Sequence, residues 1–299
     1  MSEPERVDFA LPNLRMSALA WGPADGRLIL CLHGFPDSAH SWRYLGPQLA
    51  QAGYRVVAPF MRGYAPTEIP ADGDYHVGAL VSDVLELHSA LGAPDDAVLV
   101  GHDWGALAAN TIAAYPDSPL RTVVSMAVPP IPAISRSRFG LLRTVRMSLI
   151  QLRMSWYIMY FQLPAAPERT LDSVIGRLWR DWSPRGTDVG ADVATTLAAL
   201  PTPAHRVAAV GYYRAMVRPG GAASAYATLT AHLFELPRIP MLYLHGRQDG
   251  AMQVGYTEQL QGLLPPGSRV ETIGGAGHFL QVDQPEPVAA AILDYLRVY

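Results

Sequence analysis

Lysine is missing altogether: all 23 basic residues among the 299 are arginines. Source-genome composition accounts for such a bias, yet it removes Schiff-base and lysine-nucleophile chemistry. Cysteine is almost as scarce. Cys31 stands alone, so no intrachain disulfide can form, and its place in the apolar run 28–32 reads as a buried structural thiol. Charged residues make up only 16% of the chain, below the usual share of about 25%. The formal net charge of −3 carries no electrostatic footprint for nucleic acid. No apolar run approaches the roughly 18 residues of a membrane span. The N-terminal MSEPERVDF lacks the basic-then-apolar layout of a signal peptide, so a cytoplasmic protein is expected. Repeats, low-complexity tracts and metal-ligand clusters are also absent. The glycine cluster 274–277 opens no helix-starting glycine pattern. No metal or organic cofactor is expected.

What is present is a set of short, apolar, β-branched runs. Arg27–Leu32, Tyr54–Pro59, Asp96–Gly101, Thr122–Ala127, Pro240–His245 and Ser268–Ile273 read as buried strands. Helix-length segments lie between them at Ser41–Ala52, Val77–Leu91, Gly105–Tyr115 and Val254–Leu264. Such alternation predicts an α/β fold, a mostly parallel sheet covered by helices on both faces. Two extended runs before residue 22 predict an antiparallel edge. The alternation stops after a proline-rich hinge (Pro129, Pro130, Pro132) and resumes near residue 236. This divides the chain into a core, 1–129 with 236–299, and an all-helical insertion at 130–235. An insertion between two strands would roof the strand ends, where open α/β sheets bind ligands.

One junction carries chemistry. The strand ending at Val100 runs into Gly101–His102–Asp103–Trp104–Gly105 and then a helical segment, the form of a nucleophile elbow. A carboxylate at its centre is ionised at neutral pH and needs no base to activate it. It suits attack on an sp3 carbon bearing a strained leaving group, and it yields an alkyl ester. The competing reading is an ordinary helix N-cap. Hydrolysis of such an ester needs a base with an orienting acid. His278 follows the last predicted strand in a glycine-rich loop, and Asp249 follows the strand before it. Of the nine histidines, His40, His76, His88, His205 and His232 show no acid partner in the pattern, and His102 and His245 read as packing or hydrogen-bonding residues. The loop His33–Gly34–Phe35–Pro36 follows the strand Arg27–Leu32. The amides of Phe35 and Trp104 are candidate donors to a forming oxyanion. Pro36 has no N–H and would shape the loop instead.

HGFPDSAHSW at 33–42, RGYAPT at 62–67, GHDWGA at 101–106 and AGHF at 276–279 resemble the soluble epoxide hydrolases. The resemblance covers nearly the whole chain, with the motifs in order. It implies an α/β-hydrolase fold with an inserted helical cap, and Asp103, Asp249 and His278 as a catalytic triad. YIMYFQLP at 157–164 and GYYR at 211–214 resemble the cap segments that carry two phenol donors to the epoxide oxygen. The resemblance gives these roles to Tyr157 and Tyr213, with Tyr160 and Tyr212 as their near misidentities. AAPE after Pro164 departs from the family's usual sequence there. The implied partners are a small hydrophobic epoxide and water, with His33, Phe35, Pro36, Trp104 and Phe279 lining the substrate site. A monomer or homodimer is expected.

Two other functions fit parts of the pattern. A haloalkane or haloacid dehalogenase is the nearest rival; the haloalkane enzymes share the aspartate elbow, and Trp104 with one of Trp156, Trp179 and Trp182 could serve a halide. Phe35 stands where an Asn donor would be needed, which weakens that reading. A non-catalytic receptor on the same fold has no need of nucleophile, acid and base together. In the insertion, Arg143, Arg146 and Arg153 fall on a similar side of a continuous helix, with Arg138 elsewhere. They read as a solvated basic face over an apolar roof; docking to an anionic membrane surface is the other reading.

Overall fold

The structure is a computed structural model describing residues 3–136, 139–218 and 224–299. Eight strands form one sheet: β1 (Glu5–Ala10), β2 (Arg15–Trp21), β3 (Arg27–Leu32), β4 (Tyr54–Pro59), β5 (Val98–His102), β6 (Thr122–Met126), β7 (Met241–Gly246) and β8 (Arg269–Ile273). Their spatial order is β1-β2-β4-β3-β5-β6-β7-β8. Pairing is parallel from β4 through β8, while β1 and β2 run antiparallel at one edge. The residues dictate this division. β3, β5, β6 and β7 are buried almost throughout, as expected for parallel strands covered on both faces. β1 instead alternates exposure and carries Glu5, Arg6 and Asp8, charges that protect an open edge from further pairing. Cys31 lies buried in β3, where burial pushes its thiol up from the ordinary range.

The helices in chain order are α1 (Leu45–Gln51), α2 (Val77–Ala90), α3 (Trp104–Ala114), α4 (Ile131–Arg136), α5 (Leu141–Met154), α6 (Trp156–Tyr160), α7 (Ala166–Trp182), α8 (Gly190–Ala198), α9 (Pro203–Val217), α10 (Ser224–Ala231), α11 (Leu280–Asp283) and α12 (Pro285–Leu296). Every regular element described between β6 and β7 is helical. α10, near the end of that stretch, packs on α2: a Cβ on Gly78 would lie 2.4 Å from the Tyr226 carbonyl oxygen.

Two local expectations need correction. Residues 254–264 are not one helix but two short 3-10 turns, Val254–Thr257 and Leu260–Leu263. Gly255 and Gly262, with the β-branched Val254 and Thr257, leave too little helix propensity to join them. The predicted apolar roof under a basic face is also wrong in arrangement. On α5 the leucines face solvent together with Arg143, Arg146 and Arg153, and Met147 is its only buried residue. Arg138 lies outside the described residues.

Candidate active site

The β5–α3 junction is built around close backbone approach. A Cβ on Gly101 would lie 2.1 Å from the Gly105 carbonyl oxygen, and one on Gly105 would lie 2.2 Å from that of Leu32. Only glycine fits at either place. Between them Asp103 adopts φ 52°, ψ −110°, a strained conformation for a residue with a Cβ. The carboxylate does not cap α3, which removes the N-cap reading of this residue. Instead its Oδ1 accepts the Phe35 amide at 2.8 Å. The Trp104 amide opens α3, where first-turn N–H groups have no acceptor within the helix. Gly34 lets the two loops meet, since a Cβ there would lie 2.4 Å from both Cβ and Oδ1 of Asp103.

His278 stands across from Asp103, with Nε2 3.5 Å from Oδ2, longer than a good hydrogen bond. Its Nδ1 lies 3.0 Å from Asp249 Oδ2. Asp249 is itself held rigidly: Oδ1 accepts the amides of Ala251 at 2.7 Å and Met252 at 2.9 Å. Burial by itself would lower the His278 pKa. The opposing charges of Asp249 and Asp103 win and push it up to about 10. Burial likewise opposes ionisation of Asp249, but the His278 charge and hydrogen bond hold its carboxyl below the usual carboxylate range.

Two phenols lie close enough to feel the Asp103 charge. The Tyr157 and Tyr213 rings are buried and meet edge to face at 5.3 Å. Tyr213 also meets Phe35 at 5.3 Å and Trp104 at 5.2 Å. Tyr157 meets Trp182 at 5.2 Å, and Trp182 in turn meets His278 at 4.8 Å. Burial, with the Asp103 charge adding to it, raises both phenols well above their ordinary range, so each remains a neutral O–H. The Tyr213 hydroxyl is buried without a well-formed hydrogen bond; Tyr157 and Trp104 are its near polar neighbours. The neighbouring tyrosines are committed elsewhere. Tyr160 Oη pairs with Thr170 Oγ1 at 2.5 Å, and Tyr212 donates to the Arg62 carbonyl at 2.8 Å.

The remaining expected substrate contacts fare unequally. His33 is fully buried; Met61 N–H donates to its Nε2 at 3.0 Å, and its Nδ1 faces the Gly34 carbonyl at 2.9 Å. Neither nitrogen is left for a ligand. The Pro36 carbonyl is taken by Trp179 Nε1 at 2.6 Å and Thr196 Oγ1 at 3.1 Å. Phe279 stacks on Trp179 at 3.5 Å. Pro36 and Phe279 therefore fasten α7 and α8 to the loops around the site, a role no residue pattern revealed.

Trp182, a candidate halide donor from the residue pattern, instead supports the His278 loop. Besides its ring contact, its carbonyl accepts the His278 amide at 2.9 Å. His102 Nε2 meets the His278 carbonyl at 2.9 Å, and its Nδ1 comes within 3.4 Å of Asp37. His76, read without an acid partner, has its Nδ1 2.8 Å from Asp74 Oδ1. The same oxygen accepts the His76 amide, so this pair closes a turn ahead of α2.

A family model of the α/β-hydrolase fold matches residues 27–285. Epoxide hydrolase A of Mycobacterium tuberculosis is 31% identical over 319 residues, aligned over 95% of this chain and 94% of that protein. The crystal structure of epoxide hydrolase A from Mycobacterium thermoresistibile superposes with a TM-score of 0.74 at 27% identity, covering 98% of both chains. A haloalkane dehalogenase loop variant from Bradyrhizobium elkanii shares the fold, with a TM-score of 0.77 at 20% identity and 99% and 97% coverage. This chain belongs to the α/β-hydrolase family, and its relatives there include epoxide hydrolases.

Proposed function

We propose that this chain adds water to small hydrophobic epoxides, giving vicinal diols through an ester on Asp103. One observation carries the reading: the Asp103 carboxylate stands 3.5 Å from His278 Nε2 and takes the Phe35 amide, with two neutral phenols buried nearby. The names of the relatives point to the same reaction.

In the first step an Asp103 oxygen attacks an epoxide carbon and the ring C–O bond breaks. Its electron pair moves to the ring oxygen, which Tyr157 and Tyr213 stabilise as donors and which takes the proton that His278 releases once Asp103 is esterified. In the second step His278, oriented by Asp249, takes a proton from water. The hydroxide attacks Cγ of Asp103, and the amides of Phe35 and Trp104 receive the oxyanion. Collapse breaks the bond between Cγ and the ester oxygen, His278 returns its proton to that oxygen, and the diol leaves with one oxygen that began on Asp103. The charges explain the order of events. Asp103 and Asp249 together keep His278 protonated in the free protein. Esterification removes the Asp103 charge, so His278 titrates lower and becomes a base at the step that needs one. We further assign residues 130–235 as the cap over this site.

The dehalogenase reading has less support. Position 35 is Phe rather than Asn, and the Trp179 indole N–H is committed to the Pro36 carbonyl. His278→Gln should accumulate the ester, read as an intact-mass increase equal to one substrate. Single turnover in heavy-oxygen water should give a first diol without solvent oxygen. Turnover by Asp103→Ala, or halide release without diol formation, would overturn the assignment.

A further inference from the structure

Amphipathic helices normally turn their apolar side inward. α5 does the reverse. At about 100° per residue, Leu141, Leu142, Val145, Leu149 and Leu152 share one arc of about 100°. Their exposures run from 49% to 88%. The opposite side is the one held by the protein, and largely by polar groups. Gln151 donates to the Ala251 carbonyl at 2.7 Å, and Gln253 donates to the Met147 carbonyl at 2.7 Å. Isolated exposed leucines are ordinary, but a contiguous stripe of five marks a docking surface.

The charges identify the partner. Arg146 and Arg153 border the apolar arc, within about 40° of its edge. Among the described residues neither has an ion-pair partner, whereas Arg143 is paired with Glu258. α5 carries three arginines and no acidic residue, in a chain whose net charge is −3. A second copy meeting this face would bring arginines toward arginines without a carboxylate on either helix. An anionic lipid surface instead takes both features, leucines among the acyl chains and arginines among the headgroups. No helix among the described residues is long and apolar enough to cross a membrane, so contact would lie along the surface. We propose that α5 docks this protein onto anionic lipid bilayers, its leucine stripe inserted and Arg146 and Arg153 on the headgroups. This does not depend on which electrophile the active site takes.

Co-sedimentation with phosphatidylcholine vesicles, with and without phosphatidylglycerol, tests it on the whole protein. Uptake is expected only on the anionic vesicles and should fall as salt is raised. Arg146→Gln with Arg153→Gln should weaken partitioning about 25-fold, from about fivefold per arginine. Leu142→Asp with Leu149→Asp should abolish uptake while circular dichroism and the thermal unfolding midpoint stay unchanged. Folded wild-type protein that ignores anionic vesicles overturns the proposal, as does uptake indifferent to headgroup charge. A dimer in sedimentation that Leu142→Asp dissociates, with no vesicle binding, would instead give the face to a second copy.

Discussion

Tyr213 sets folding against chemistry within a single side chain. Its hydroxyl is buried without a well-formed hydrogen bond, a state that costs about 1–3 kcal/mol in an ordinary core. A phenol ready to receive a substrate oxygen has to be held in this way. Tyr213→Phe should therefore slow ester formation by about 100-fold. The same change should leave the melting temperature equal or higher, since it deletes the group that burial disfavours. Single-turnover kinetics beside thermal unfolding separate the two effects. A destabilised variant with normal alkylation would mean the hydroxyl serves structure.

At the scale of elements, the site is assembled by loops that touch at backbone distance. The β3 loop meets the elbow through Gly34, where a Cβ would lie 2.4 Å from the Asp103 side chain. Gly34→Ala should displace the Asp103 carboxylate and, on the proposed mechanism, cut kcat/KM by about 100-fold or more. The stability loss should be only about 1–3 kcal/mol, the usual cost of local overpacking. An active, unshifted Ala variant would show that the loops have room to part. The His278 loop is held from two sides, by the Trp182 carbonyl at the end of α7 and by His102 at the end of β5. The elbow was legible because glycine on both sides of a central acid reports a steric need within five residues. The α7 contact was not, because Trp182 and His278 are distant in sequence and meet only through folding.

Across the whole molecule, the buried His278–Asp249–Asp103 group ties stability to pH. His278 titrates at about 10 in the folded state, against about 6.5 for a free imidazole. A group raised by folding contributes stability that is complete below its unfolded pKa and is lost as pH rises through the folded value. Urea unfolding of the wild type should thus weaken between about pH 6.5 and 10, by on the order of a few kcal/mol. His278→Gln should flatten that slope. An unchanged slope in the variant would place the titrating group elsewhere.

The parallel sheet, its antiparallel edge, the elbow and the chain order of Asp103, Asp249 and His278 were all legible in the residues alone. Each rests on neighbours within a few residues, through apolar periodicity, glycine spacing or a short motif. Packing in three dimensions settled the remainder. It turned Tyr213 toward Trp104 and Phe35 while sending Tyr212 to the Arg62 carbonyl, although both sit side by side on α9. It used both nitrogens of His33 in the backbone around it, and it turned the leucines of α5 outward. A period of 3.6 residues gives a helix two sides, but which side is covered depends on what the remainder of the chain packs against it.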